Sequence, residues 1–83
     1  MSWLPVTSRA FKAARYDRDS HHLEIQYHDG RIYRHYRVPE RVYIKLVGSE
    51  SPGTYLNEGV KPFFESIELP PDLQRNPKAS DAT

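Results

Sequence analysis

The chain contains no cysteine. That excludes disulfide staples and thiolate-ligated zinc, and it is compatible with a reducing compartment. No apolar run approaches the ~20 residues that a membrane helix needs. Met1-Ser2-Trp3-Leu4-Pro5 has neither the basic start nor the apolar core of a signal peptide, so the expected location is cytoplasmic, with no membrane contact. There is no glycine-rich phosphate loop and no Gly-x-Ser-x-Gly elbow. A large excess charge is missing too: 12 lysines and arginines face 11 acids, a net of +1. That argues against strong nonspecific binding to polyanions.

What is present fits one domain. A chain of 83 residues buries only about 60% of the surface its unfolded form exposes, so its core must be small. The charges are unevenly placed. From Arg9 to Lys45 nine basic residues stand against five acidic ones, and after Lys45 three face six. A basic front half suits an anionic partner, or an ordinary solvated surface.

Leu23, Ile25 and Tyr27 alternate with His22, Glu24, Gln26 and His28, the period of a half-buried strand. Asp29-Gly30 is a hairpin turn signal, and Arg31 to Val38 is rich in strand formers. Two registers are open. A two-residue type I′ loop pairs His28 with Arg31 and puts Ile32 and Tyr36 on the Leu23/Ile25/Tyr27 face. A type I turn with Gly30 in a bulge slides the second strand by one residue, which puts Tyr33 and His35 there and turns Tyr36 away.

Pro39 suits a helix start, and Val42, Tyr43, Leu46 and Val47 form one apolar stripe that Gly48 stops. Ser51-Pro52 repeats the start signal as N-cap and proline, with Tyr55 and Leu56 on the buried side and Gly59 and Pro62 at the end. Phe63, Phe64 and Ile67 supply a last apolar anchor. Residues 1–5 read as loose, and 69–83 as a disordered tail of polar, small and charged residues. Propensity supports both helix and strand over Thr7 to Tyr16: Ala10, Ala13 and Ala14 favour helix, but the apolar stripe is thin.

The order of these residues resembles the KTSC domain, a short module also found at the C-terminus of some lysyl-tRNA synthetases. The resemblance begins at Val6-x-Ser8, Phe11 and Tyr16-Asp17. It continues through Leu23-x-Ile25-x-Tyr27, Gly30, Tyr33 and Val38-Pro39, then Val42-Tyr43 and Leu46. It closes on Ser51-x-Gly53-x-Tyr55-Leu56-Asn57 and Val60-Lys61. It implies that Thr7 to Tyr16 is a strand, and that residues 6–68 form an α+β domain: an antiparallel three-stranded meander followed by two short helices. It also implies a central tyrosine-x-tyrosine, where this chain has Tyr33 and then His35, and a serine pair where Ser8 is followed by Arg9. The synthetase context implies single-stranded RNA or tRNA as a partner.

The candidate chemistry points to binding rather than catalysis. Arg31, Tyr33, Arg34, His35, Tyr36 and Arg37 interleave cations with rings, the combination that single-stranded RNA recognition uses. Arg41 and Lys45 add cations from the following helix. The expected platform is Tyr33, His35 and Arg37, or Arg34 and Tyr36, according to register; the bland alternative makes one tyrosine core and the arginines solvated. Of the four histidines, His22 and His28 share a strand face but lie about 20 Å apart at ~3.3 Å per residue, so no metal and no cofactor is expected. Thr7, Ser8 and Ser51 have no placed base, so no enzymatic activity is expected. The second functional expectation is a protein-interaction or oligomerisation module, through a sheet edge or Trp3.

Overall fold

The computed structural model describes residues 2–70. Five strands, β1 (Leu4–Pro5), β2 (Ala13–Asp17), β3 (His22–Gln26), β4 (Ile32–His35) and β5 (Ser66–Glu68), make one antiparallel sheet in sequential order. Between β4 and β5 the chain forms helix α1 (Glu40–Val47) and helix α2 (Pro52–Tyr55), which runs on as a π-helical segment Leu56–Val60. The α+β class therefore holds, with the meander β2-β3-β4 at its centre. The sheet has five strands rather than three, because Leu4–Pro5 before the meander and Ser66–Glu68 after the helices return to pair with its edges.

The first strand is shorter than the resemblance implies. Residues 6–12 loop out, closed by the Val6 N–H on the Lys12 carbonyl at 3.0 Å, and only Ala13–Asp17 pairs with β3. The start of the chain is likewise not loose throughout. Leu4 and Pro5 pair with Ala14 and Ala13, and Trp3 lies under the Arg15 guanidinium, 4.2 Å from ring centre to Cζ. At the other end Leu69 belongs to the fold, buried and donating its N–H to the Ile32 carbonyl at 2.8 Å. Residues 71–83 of the expected tail lie outside the described residues.

The hairpin takes the slipped register. Gly30 has φ +95°, the left-handed region that glycine enters without penalty, and the Tyr27 N–H bonds the Arg31 carbonyl at 2.8 Å. The loop thus has three residues, and Leu23 comes opposite His35, Ile25 opposite Tyr33. Directly opposed residues share a face. Ala14, Tyr16, Leu23, Ile25, Tyr33 and His35 therefore face one way, while Arg15, Glu24 and Arg34 face the other.

The helices cover the first face. Phe11, Leu23, Ile25, Val38, Leu46, Leu56 and Val60 are each fully buried there, the apolar stripes of both helices meeting the sheet. Tyr43 of α1 stacks on Tyr16 with ring centres 5.5 Å apart. Gly48 ends α1 by bonding back to the Ile44 carbonyl at 3.0 Å. Ser51 stands at the start of α2, but its side chain makes no cap bond; Ser49 Oγ accepts the Ser51 N–H instead. Gly53 lies so close to the 7–10 loop that an added Cβ would meet Ala10 Cβ at 2.7 Å.

Candidate functional site

Register decides where each candidate residue goes. Tyr33 and His35 sit on the helix-bearing face, and Arg34 sits on the opposite one. There Arg34 and Arg15 flank Glu24, with Arg15 Nε–Glu24 Oε1 at 2.5 Å and Arg34 Nη2–Glu24 Oε2 at 2.8 Å. Glu24 is only 2% exposed, so Arg34 is committed to a buried charge and is not available to a phosphate. Tyr36 is half-buried, its ring edge-on to His22 at 4.9 Å. Arg37, Arg41 and Lys45 are exposed. The eight residues thus do not form one stacking platform. His35, buried at 2% exposure, cannot offer a free ring face, and the Arg34/Tyr36 alternative is held by neighbours.

Three of them do converge. Arg31, Tyr33 and His35, with Tyr27, Lys61 and Ser66, line a cavity of about 340 Å³ on the helix-bearing face. The pleat explains the grouping. Tyr33 and His35 point to this face, Tyr27 is bonded across to Arg31 at the hairpin end, and β5 brings Ser66 opposite His35 and Glu68 opposite Tyr33. Lys61 arrives from the turn that follows the π-helical segment.

Its electrostatics are unusual for so small a site. Neither ring nitrogen of His35 has a hydrogen-bond partner among the described residues. Burial, helped by the Lys61 ammonium, pushes the imidazole down to about 4, so it is neutral at pH 7 and presents one donor and one acceptor. Burial raises the Tyr27 phenol above its usual range, which keeps it protonated. The Tyr27 and Tyr33 rings meet edge to face at 5.7 Å, and Lys61 Nζ lies 5.7 Å from the Tyr27 ring centre. Among the described residues no carboxylate lines the cavity. Two stand beside it: Asp29 holds Arg31 through Nε–Oδ2 at 2.8 Å, and Glu68 accepts the Tyr33 hydroxyl at 3.3 Å.

Sequence reasoning missed Tyr27, Lys61 and Ser66. Tyr27 has the same strand parity as Tyr33 and His35 once the bulge is known. Lys61 and Ser66 carry no local signal, since only chain return brings them near. Among the described residues no three His, Asp or Glu side chains gather to hold a metal ion. No helix there is long and apolar enough to cross a membrane.

Comparison with known proteins agrees with the architecture. The family model described as the KTSC domain matches residues 7–64. A protein of Tsukamurella paurometabola is 38% identical over 65 residues, covering 78% of this chain and 97% of the relative. A protein of Stutzerimonas stutzeri is 29% identical over 62 residues, covering 75% and 87%. The crystal structure of a KTSC domain protein from Yersinia pestis superposes with a TM-score of 0.77 at 28% identity, over 83% of this chain and 97% of that one.

Proposed function

The chain belongs to the KTSC domain family, and on that footing we propose that it is a small non-catalytic binding module whose partner is single-stranded RNA. The partner is engaged at the cation-flanked cavity rather than along strand β4. The observation that supports this reading is the pairing of a buried imidazole with Arg31 and Lys61 around a cavity where, among the described residues, the imidazole has no partner and no acid is present. Polar groups in such a place are usually satisfied, and a ligand is one way to satisfy them. Arg37, Arg41 and Lys45 are exposed too, and under this reading a longer strand contacts them as well.

Titrating isotopically labelled protein with short single-stranded RNA tests the reading. Amide shifts should cluster on Tyr27, Arg31, Tyr33, His35 and Lys61. If the cavity cations alone neutralise phosphates, log K should fall with log salt at a slope of about −1.4, and a slope near −3.5 would bring in all five cations. No clustered shift at high micromolar RNA would remove the proposal. A second reading, a protein partner at the sheet edge, draws on β5, where Ile67 is 49% exposed, and on Phe63 in the preceding turn, 71% exposed. Shifts confined to 63–68 on adding a nuclease-treated, purified candidate protein would favour it.

A further inference from the structure

We infer that the cavity takes a single nucleotide unit: one planar, hydrogen-bonding ring with its phosphate, whether free or as the unstacked end of a strand. The inference rests on the binding reading above and names what the site recognises. A volume of about 340 Å³ stands at the lower end of ligand pockets, which run from about 300 to 1,000 Å³. Such a volume suits one small ligand rather than a longer stretch of chain.

The lining says which part goes where. The neutral His35 ring offers an acceptor nitrogen as well as a donor. A bare anion has nothing to give the acceptor, whereas the edge of a nucleobase presents both kinds of group side by side. Tyr27 and Tyr33, both half-buried, provide ring surface beside that edge. Arg31 and Lys61 are exposed at the rim, where a phosphate attached to the ring would emerge. Lys61 has the greater freedom to take it, because Arg31 already holds Asp29. The His35 nitrogens are closed to bulk water in the free protein, so the ring reaches them only as the side chains lining the cavity shift, and Lys61 among these is long and exposed.

The test uses the full chain and four probes: nucleoside 5′-monophosphates, ribose 5-phosphate, inorganic phosphate and a short single-stranded RNA. Amide and imidazole shifts are followed at constant salt. Nucleotides are expected to bind at least tenfold more tightly than ribose 5-phosphate or phosphate, with the His35 ring signals among the largest shifts. His35→Phe keeps a ring of similar size without nitrogens and should remove most of that preference. Lys61→Ala, an exposed change that leaves the core alone, should weaken nucleotides severalfold. Equal binding of nucleotide and ribose 5-phosphate would overturn the inference. So would RNA binding that His35→Phe leaves intact, although the module would then still bind RNA. If none of the probes binds, the inference and the broader reading fall together. Capture of RNA but not of free nucleotides, with the His35→Phe loss retained, assigns the unit to a strand end.

Discussion

Tyr16 of β2 donates its hydroxyl to the Val38 carbonyl at 2.5 Å, tying the centre of the sheet to the residue that leads into α1. The His21 Nδ1 lies 3.1 Å from the Tyr16 hydroxyl oxygen, and Val38 returns its own N–H to the His21 carbonyl at 2.9 Å. Burial raises the Tyr16 phenol, with the Glu40 and Asp17 charges adding to the effect, so it remains a donor across the working range. Tyr16→Phe keeps the stacking on Tyr43 but leaves a buried carbonyl with one partner fewer. Urea denaturation should show a loss of about 1–3 kcal/mol with an unchanged m-value.

The Arg15–Glu24–Arg34 ladder predicts an asymmetry between removing one charge and removing all three. Glu24→Gln strands two arginines, and Arg15 already has one buried Nη2 without a partner. The expected loss is about 3–5 kcal/mol. Replacing all three by apolar residues of similar volume should cost far less, or even stabilise the fold. A triple variant as unstable as Glu24→Gln would refute the desolvation argument.

His35 gives the protein an acid-sensitive core. Its folded value, about 4, lies below the ordinary 6.5, because burial and the Lys61 charge oppose the proton. The unfolded chain therefore binds a proton that the folded chain refuses. The stability this neutral ring confers is full above pH 6.5 and is lost as pH falls toward 4, by up to about 3 kcal/mol. Arg31 and Lys61 line the same cavity, and Glu68 stands beside it, bonded to the Tyr33 hydroxyl. His22, lowered chiefly by its own burial, contributes in the same direction. Stability measured from pH 7 to pH 4 should fall less steeply for His35→Leu than for the native chain. An identical slope would show that His35 takes up its proton freely when folded.

Backbone conformation supplies a further pair of changes with opposite signs. Gly30→Ala puts a side chain at φ +95° and should cost about 1 kcal/mol, although nothing crowds the added Cβ. Arg37 holds φ 57° without being glycine, so Arg37→Gly should gain up to about 1 kcal/mol in the same assay. Gly53→Ala belongs to neither case. Its Cβ would press on Ala10 at 2.7 Å, and a loss of about 1–3 kcal/mol is expected.

Much of the fold was legible because its signals are local. Alternation from Leu23 to Tyr27, Asp29-Gly30, the stripe Val42/Tyr43/Leu46/Val47 and the Gly48 stop all act within a few residues and mark their elements. Strand β3, however, ends at Gln26 and is buried on both faces, Glu24 included, rather than on one. The loop at 6–12 was not legible, since Ala10, Ala13 and Ala14 favour helix while the thin apolar stripe around them argues against one. Nor were β1 and β5. Two- and three-residue strands carry no period, and they form only because the meander offers them edges. Of the candidate residues, sequence chemistry singled out Arg31, Tyr33 and His35, but grouped them with Arg34 and Tyr36, which register sends elsewhere.

By itself, then, the sequence determined that this is one cysteine-free α+β domain of the KTSC family, with a hairpin at Asp29-Gly30 and two helices after it. Tertiary structure decided the rest. A one-residue slip at Gly30, fixed by which side chains the helices bury, sent Arg34 to a buried ion pair and His35 into the cavity that Lys61 also lines. Side-chain identity is local, but a strand's facing is settled only by what packs on it, and a cavity exists only where distant segments meet.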